Sequence, residues 1–206
     1  MKKSGAPERG FILVVTLVIL VAMTLLGITL VRSIDTSTLI ATNLGFRKSA
    51  VMSGDRGTEA AIVWLQNNKA SLINDVPASG YYATEQAGSD FTGKITPASS
   101  TDDVSWIGAS GSSRRAFVVA GADVAGNQVA YIIQRMCDQT GSYVAGGTIQ
   151  CATSSSSVST GGSQGSSSYG SYAITGKTMI YYRITTRTQG LRNTESFIQT
   201  QVLVEY

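Results

Sequence analysis

The chain has 206 residues, 43% of them hydrophobic, and its 16 basic and 13 acidic residues give a net charge of +3. This length allows one membrane anchor plus one domain of common size, and so small a charge disfavours a nucleic-acid-binding platform. No histidine is present, which excludes His-dependent triads, histidine acid–base catalysis and most transition-metal sites.

A short charged leader precedes a long apolar stretch at the N-terminus. Residues 1–10 contain three bases and one acid, and residues 11–31 contain no charge. As a helix, residues 11–31 would reach about 31 Å, which matches the hydrocarbon core of a bilayer. Basic residues ahead of an apolar span favour a cytoplasmic N-terminus. The sequence therefore predicts a single-pass membrane anchor, with residues 32–206 on the opposite side of the membrane from the N-terminus.

Two other interpretations of the apolar stretch are less favoured. A buried core helix in so small a domain would show a polar stripe. A cleaved secretory signal would have a shorter apolar core followed by a small-x-small site. The polar residues within residues 11–31 are Thr16, Thr24 and Thr29. We expect each hydroxyl to bond to a carbonyl one turn earlier, so that no polar group faces lipid unsatisfied.

The helix is predicted to continue well beyond the membrane. No proline occurs between Pro7 and Pro77, so nothing in this region forces the helix to end. One face carries mostly small residues, against which a sheet could pack closely: Ala50, Gly54, Gly57, Ala61 and Leu65. Polar side chains surround that face: Arg47, Asp55, Arg56 and Glu59. The alternative is that Gly54 and Gly57 break the helix, because glycine weakens a helix by up to about 1 kcal/mol.

The remainder predicts an α+β domain. Residues 72–111 are rich in loop signals, with Trp106 as a lid over the core. Four strands follow, and we expect them to form a four-stranded antiparallel sheet packed on the helix. Their predicted bounds are 115–121, 128–137, 178–188 and 195–205. The first two flank a Gly-Asn turn signal. On the last two, Ile180, Tyr182 and Ile184 share one face, as do Ile198, Val202 and Val204.

Two cysteines and a serine-rich segment lie between the strand pairs. In an exported domain, the isolated pair Cys137 and Cys151 most simply predicts a disulfide. Residues 152–172 are uncharged and too poor in apolar residues to fold alone, so an exposed loop is expected. A sharper hypothesis is that this loop contacts a partner or carries glycans. Deleting residues 154–168 would then spare folding and lower assembly.

The N-terminal junction resembles that of type IV prepilins. A short charged leader ends at Gly10, and Phe11 opens the apolar helix. Residues 41–65 (ATNLGFRKSAVMSGDRGTEAAIVWL) and 181–202 (YYRITTRTQGLRNTESFIQTQV) further resemble the PilX family of minor pilins. The resemblance covers both ends of the chain but not residues 72–177. It implies that prepilin peptidase cuts after Gly10 and methylates the amine of Phe11.

Val15 departs from the prepilin pattern. Most members carry Glu at the fifth position after the cut, which here is Val15. A subunit without that carboxylate cannot neutralise the terminal amine of the subunit ahead of it, which suits the filament tip. The resemblance therefore implies a minor pilin that helps to start pilus assembly and serves motility or adhesion. The implied partners are other minor pilins, the major pilin, a tip adhesin, the inner-membrane assembly platform and prepilin peptidase.

A search for catalytic chemistry finds no candidate. The sequence has no phosphate-binding loop, nucleophile elbow or metal-ligand spacing, so we expect no enzyme, no metal and no cofactor. Three alternatives to a minor pilin remain. They are a type II secretion pseudopilin of the tip type, a single-pass periplasmic protein unrelated to pili, and an anchored enzyme.

Overall fold

A computed structural model of the protein describes residues 9–93, 102–106, 114–155 and 178–205. The chain divides into two units, Met1–Gly45 and Phe46–Tyr206. Helix α1, Arg9–Asn67, contributes to both units. The prediction of one long helix is therefore confirmed, although the helix begins two residues before Phe11. A break at Gly54 or Gly57 does not occur.

The second unit contains a mixed β-sheet. Eight strands are described: β1 Tyr81–Tyr82, β2 Val104–Ser105, β3 Arg114–Arg115, β4 Phe117–Val118, β5 Gln128–Arg135, β6 Thr153–Ser155, β7 Thr178–Gln189 and β8 Glu195–Glu205. One edge of β7 pairs with β8, and the other pairs with β5 and β6. The far edge of β5 pairs with β4 and, in parallel, with β1. Strands β2 and β3 form a separate parallel pair.

The prediction of a four-stranded antiparallel sheet is correct only in part. Strands β4, β5, β7 and β8 are neighbours in that order and antiparallel, as expected. The sheet nevertheless has six strands and is mixed, because β6 and the parallel β1 extend it. The expected strand 115–121 is also wrong. Instead, β3 pairs with β2 in the separate sheet and β4 pairs with β5 in the main sheet, and Ala116 between them donates its N–H to the Ser105 carbonyl at 3.0 Å.

The start of the serine-rich segment is a strand rather than a loop. Residues Thr153–Ser155 form β6 and pair with residues 178–180 of β7. The proposed deletion of residues 154–168 would therefore remove part of the sheet, so it is not a clean test of the loop. The rest of the predicted loop, residues 156–172, lies outside the described residues.

The small-residue face of α1 packs directly on the sheet. Ala50, Ala61 and Leu65 have no exposed surface, and Gly54 and Gly57 are buried. A Cβ built on Gly57 would lie 2.5 Å from Cγ1 of Val129 on β5. The helix backbone therefore contacts the strands in a way that any side chain at Gly57 would prevent. The four polar positions around this face are exposed.

Apolar side chains fill both faces of the sheet. On the helix side, the predicted residues Ile180, Tyr182 and Ile184 are almost fully buried. On the other side, Trp106 is 8% exposed and covers a second cluster. Its ring packs edge-on against Phe197 at 5.8 Å between centroids, and its indole N–H donates to the Phe91 carbonyl at 2.8 Å. The expected role of Trp106 as a lid is confirmed.

Short 3-10 turns connect several of these elements. They comprise Lys69–Ser71, Pro77–Ser79 and Leu191–Asn193. In the last, which joins β7 to β8, Arg192 and Asn193 have left-handed backbone angles, with φ of 54° and 59°. The Arg192 guanidinium lies 5.4 Å from the centre of the Phe46 ring. This cation–π contact links the hairpin turn to the helix.

The predicted disulfide is present. Cys137 and Cys151 are bonded and their Cα atoms are 4.0 Å apart. Backbone hydrogen bonds flank the bond on both sides: Asp138 N–H donates to the Gln150 carbonyl, and Ala152 N–H donates to the Met136 carbonyl. The bond therefore joins the chain just after β5 to the chain just before β6, and both strands pair with the same edge of β7.

Asp123 organises the turn between β4 and β5. Its carboxylate accepts hydrogen bonds from the Asn127 side-chain amide at 2.7 Å and the Asn127 backbone N–H at 2.8 Å. The same amide donates to Ser49 Oγ on α1 at 3.0 Å. These bonds to Asn127 hold the pKa of Asp123 at about 2, below its usual 3.8.

We expect this carboxylate to make stability pH-dependent. Because the pKa of Asp123 is lower in the folded chain, its contribution is present above pH 3.8 and is lost as the pH falls toward 2. The free energy of unfolding, measured by denaturant titration across this window, should fall less steeply for Asp123→Asn than for the wild type. Val124→Ser, at a fully exposed position of the same turn, is the control and should retain the wild-type slope. Equal slopes for wild type and Asp123→Asn would contradict the assignment.

Candidate membrane-anchoring and assembly site

The apolar part of α1 is exposed on all sides. Every residue from Phe11 to Val31 is exposed. An 18-residue window of α1 reaches a mean hydropathy of 3.0, and none of it is buried. By length and composition, α1 can cross a membrane, as a membrane anchor or a signal sequence would.

The three threonines in this stretch satisfy their own hydroxyls. Thr16, Thr24 and Thr29 donate to the carbonyls of Leu13, Val21 and Leu26, at 2.8–2.9 Å. The prediction of such bonds is confirmed. Because no threonine hydroxyl needs an outside partner, the apolar surface carries little cost of burial in lipid or against another helix.

The predicted cleavage junction lies in the first turn of α1. Gly10 and Phe11 are both helical, and Phe11 is 69% exposed. Val15 is 38% exposed, one turn further along. A valine here presents no charge to a neighbouring helix or to lipid. The leader residues 1–8 lie outside the described residues.

The helix remains exposed between the apolar stretch and the second unit. Four hydroxyls in this part again bond to carbonyls one turn back: Thr36, Ser37, Thr38 and Thr42. Four large apolar side chains are each more than half exposed: Ile34, Leu39, Ile40 and Leu44. Exposed apolar side chains therefore continue along α1 beyond the membrane-length span.

Polar and aromatic side chains together line a cleft in the second unit. It measures about 360 Å³ and is bounded by Trp106, Val118, Gln128, Ala130, Arg187 and Gln189. Arg187 is ion-paired with Glu195, and none of the six lining residues is a nucleophile or general base. No group of acids and cysteines that could hold a metal ion is found among the described residues.

Arg135 is a buried charged residue of the second unit that donates hydrogen bonds to backbone carbonyls. Arg135 is fully buried at the end of β5, where its Nε donates to the Ala83 carbonyl at 3.0 Å and its Nη2 to the Gln139 carbonyl at 3.1 Å. The sequence carried no signal for this role, because the pattern of β5 does not distinguish a buried arginine from an exposed one. Burial raises the pKa of Tyr131 to about 12 and also raises that of Tyr81, so both phenols stay protonated.

Comparisons with protein-family models, with curated proteins and with solved structures find no match to this chain.

Proposed function

We propose that the chain is a non-enzymatic subunit of a membrane-anchored filament, specifically a minor pilin of the type IV pilus class. The observation that carries this proposal is the single helix α1. It contains the Gly10–Phe11 junction in its first turn, exposes apolar residues on every side as far as Val31, and later packs on a sheet through small residues. In this proposal the apolar stretch is stored in the inner membrane and later packs among the helices of other subunits.

The apolar surface of α1 is compatible both with lipid and with a bundle of other helices. Apolar side chains gain little from moving between lipid and a helix bundle, so close packing and satisfied polar groups decide the transfer. The bonded threonines remove the main polar cost, and Gly27 has open space around its backbone for another helix to approach. The second unit would then select neighbours in the assembly, including a tip adhesin.

Val15 supports a position at the tip. A glutamate at this position would cost about 2.5–3.5 kcal/mol at the centre of a bilayer unless it paired with a neighbour's amine. A repeated subunit recovers that cost in the filament, whereas a subunit with nothing above it does not. Valine avoids the cost and fits a subunit that initiates assembly.

The first test is the intact mass of the membrane-extracted chain, with and without prepilin peptidase. We expect the mass of Met1–Gly10 to be lost and one methyl group to be gained, only when the peptidase is present. Gly10→Val should abolish both changes, because a branched side chain replaces the smallest residue at the cut. Gly5→Val changes the other leader glycine and should be processed normally.

An intact leader in both strains would overturn the proposal. The chain would then be an ordinary single-pass periplasmic protein. If processing occurs, recovery of pilus subunits rather than type II secretion subunits with the processed chain separates the minor pilin from a pseudopilin of the tip type.

A further inference from the structure

A cleft opens beside Trp106, on the side of the sheet that faces away from the packing face of α1. We call it the Trp106 cleft. It measures about 360 Å³ and is lined by Trp106, Val118, Gln128, Ala130, Arg187 and Gln189. Small-molecule sites in proteins usually measure about 300–1,000 Å³ and combine apolar walls with a few convergent polar groups. The Trp106 cleft therefore has the volume of a site for one ring-sized molecule.

The register of the sheet brings the polar groups of the cleft together. Gln128 on β5 lies directly opposite Gln189 on β7, and Ala130 lies opposite Arg187. Paired residues share a face of the sheet, as do residues two apart on one strand, so these four side chains are neighbours on one face. Val118 on β4 pairs with the other edge of Ala130. Longer side chains therefore surround a small alanine, whose methyl group leaves space above it.

The apolar wall of the cleft is held in place by its own contacts. Trp106 is almost fully buried, its ring packs against Phe197, and its indole N–H donates to the Phe91 carbonyl. Val118 and Ala130 belong to the same apolar cluster. Because these groups are already ordered, a ligand that contacts them loses little free energy in fixing the site.

The two glutamines supply both hydrogen-bond donors and acceptors. Gln128 and Gln189 are exposed, so their side chains are accessible to a ligand. Each side-chain amide offers two N–H donors and one carbonyl acceptor. A hydroxyl group also both donates and accepts. Two neighbouring amides therefore suit a molecule that carries several adjacent hydroxyl groups.

The ion pair at the cleft disfavours a charged ligand. Nε of Arg187 donates to the Glu195 carboxylate, which compensates the charge of the guanidinium. An anion would compete with Glu195 for Arg187 and would be repelled by that carboxylate. A guanidinium has further N–H groups that can donate to a neutral oxygen atom. The electrostatics of the cleft therefore favour a neutral ligand with oxygen acceptors.

A neutral pyranose sugar combines the required properties. Its ring carries hydroxyl groups around the rim and C–H groups on its faces, so it can contact polar and apolar walls together. A nucleobase also has polar edges, but it binds chiefly by stacking on exposed aromatic rings. Trp106 is the one aromatic residue among the six that line the cleft, and it is only 8% exposed. The cleft therefore suits a ligand that binds mainly through hydrogen bonds.

We propose that the Trp106 cleft binds one neutral pyranose residue. The hydroxyl groups of the sugar bond to Gln128, Gln189 and Arg187, and its C–H groups lie against Val118 and Ala130. The site itself does not rest on the proposed function. Only its use does, which is recognition of a sugar on another surface by a subunit of a pilus.

Titration with methyl glycosides of glucose, galactose and mannose tests the proposal on the full chain. The chain is kept in a phosphocholine detergent, because a sugar-based detergent would compete for the cleft. Trp64→Phe leaves Trp106 as the one tryptophan, so that fluorescence reports on the cleft. We expect at least one glycoside to change this fluorescence with a Kd on the order of 1 mM. The methyl uronide of the same sugar, which is an anion, should bind at least about five-fold more weakly.

Alanine variants locate the binding. Gln128→Ala and Gln189→Ala each remove one amide and should each weaken the glycoside about five-fold, as expected for a lost hydrogen bond. Gln201→Ala is the matched control. Gln201 is exposed and lies on the same face of the sheet, but it does not line the cleft. This variant should bind within about two-fold of the parent chain.

Several outcomes would overturn the proposal. One is the absence of binding by all three glycosides at concentrations up to about 10 mM. Tighter binding of the uronide would indicate an anion site, and tighter binding of adenosine would indicate a nucleobase site. Equal effects of Gln128→Ala and Gln201→Ala would place the sugar outside the cleft. Intact-mass analysis of the leader gives its result independently of these outcomes.

Discussion

Replacing Gly57 with leucine should lower the free energy of unfolding by about 2–3 kcal/mol, although leucine is the better helix former. A Cβ at this position would lie 2.5 Å from Val129 Cγ1 and 3.0 Å from Thr186 Cγ2. Both neighbours are β-branched and fixed in strands, so the helix would have to move away from the sheet. Denaturant titration of the full chain in detergent, followed by tryptophan fluorescence, measures the loss.

Gly45→Leu is the matched control for this prediction. It makes the same substitution in the same helix, but a Cβ at Gly45 meets nothing within 4 Å. We expect unchanged or slightly increased stability, because the helix gains propensity without a clash. Gly54→Ala should have an intermediate effect, since its close neighbour is the flexible end of Ile198. Equal effects of leucine at Gly57 and Gly45 would show that close packing of the helix does not stabilise the domain.

Removal of the disulfide should lower the free energy of unfolding by about as much as Gly57→Leu does. Replacing Cys137 and Cys151 with serine releases a loop with a sequence separation of 14 residues, and loop closure of this length is worth about 3 kcal/mol. The hydrogen bonds from Asp138 to Gln150 and from Ala152 to Met136 remain available, so the native sheet should still form. The difference is measured by the same titration.

Reduced wild-type protein provides the control for the double variant. Both should unfold at the same denaturant concentration, because each lacks the covalent bond and little else differs. If the oxidised wild type unfolds at that concentration too, the bond does not stabilise the domain. If only the double variant is weakened, the serines themselves cause the loss.

Long periodic elements could be predicted from the sequence. Helix α1 follows from an apolar stretch without proline, and its packing face follows from small residues spaced three or four apart. Strands β7 and β8 follow from alternation, and their predicted bounds match the structure to within one residue. In each case the local pattern and the burial agree, so local sequence is sufficient.

Short and long-range elements could not be predicted. Strands β1 and β6 have two and three residues, too few to show a period. Strand β1 also pairs in parallel with β5, about fifty residues later in the chain, and no local feature specifies that contact. The change of partner at Ala116, from β2 to β5, likewise depends on which strands lie beside it in the folded domain, and no local pattern specifies it.

Some features of the functional surfaces could also be predicted from local sequence, and others could not. The Gly10–Phe11 junction, Val15 and the threonine bonds depend on nearby residues and could be inferred from position in the chain. The Trp106 cleft could not, because Gln128 and Gln189 are far apart in the chain and lie opposite each other only in the folded sheet. Strand order within a sheet is a property of the whole domain.

The position of the cysteines has a consequence for how the domain acquires its structure. Both precede β7 and β8 in the chain, and the bond joining them aligns β5 and β6 along one edge of β7. Under oxidising conditions, this loop can close before the last two strands have formed. The β7–β8 hairpin then forms from neighbouring residues, and β7 pairs with β5 and β6, which the disulfide has already aligned. Because loop closure over long separations slows folding, this order leaves few slow steps in the formation of the sheet.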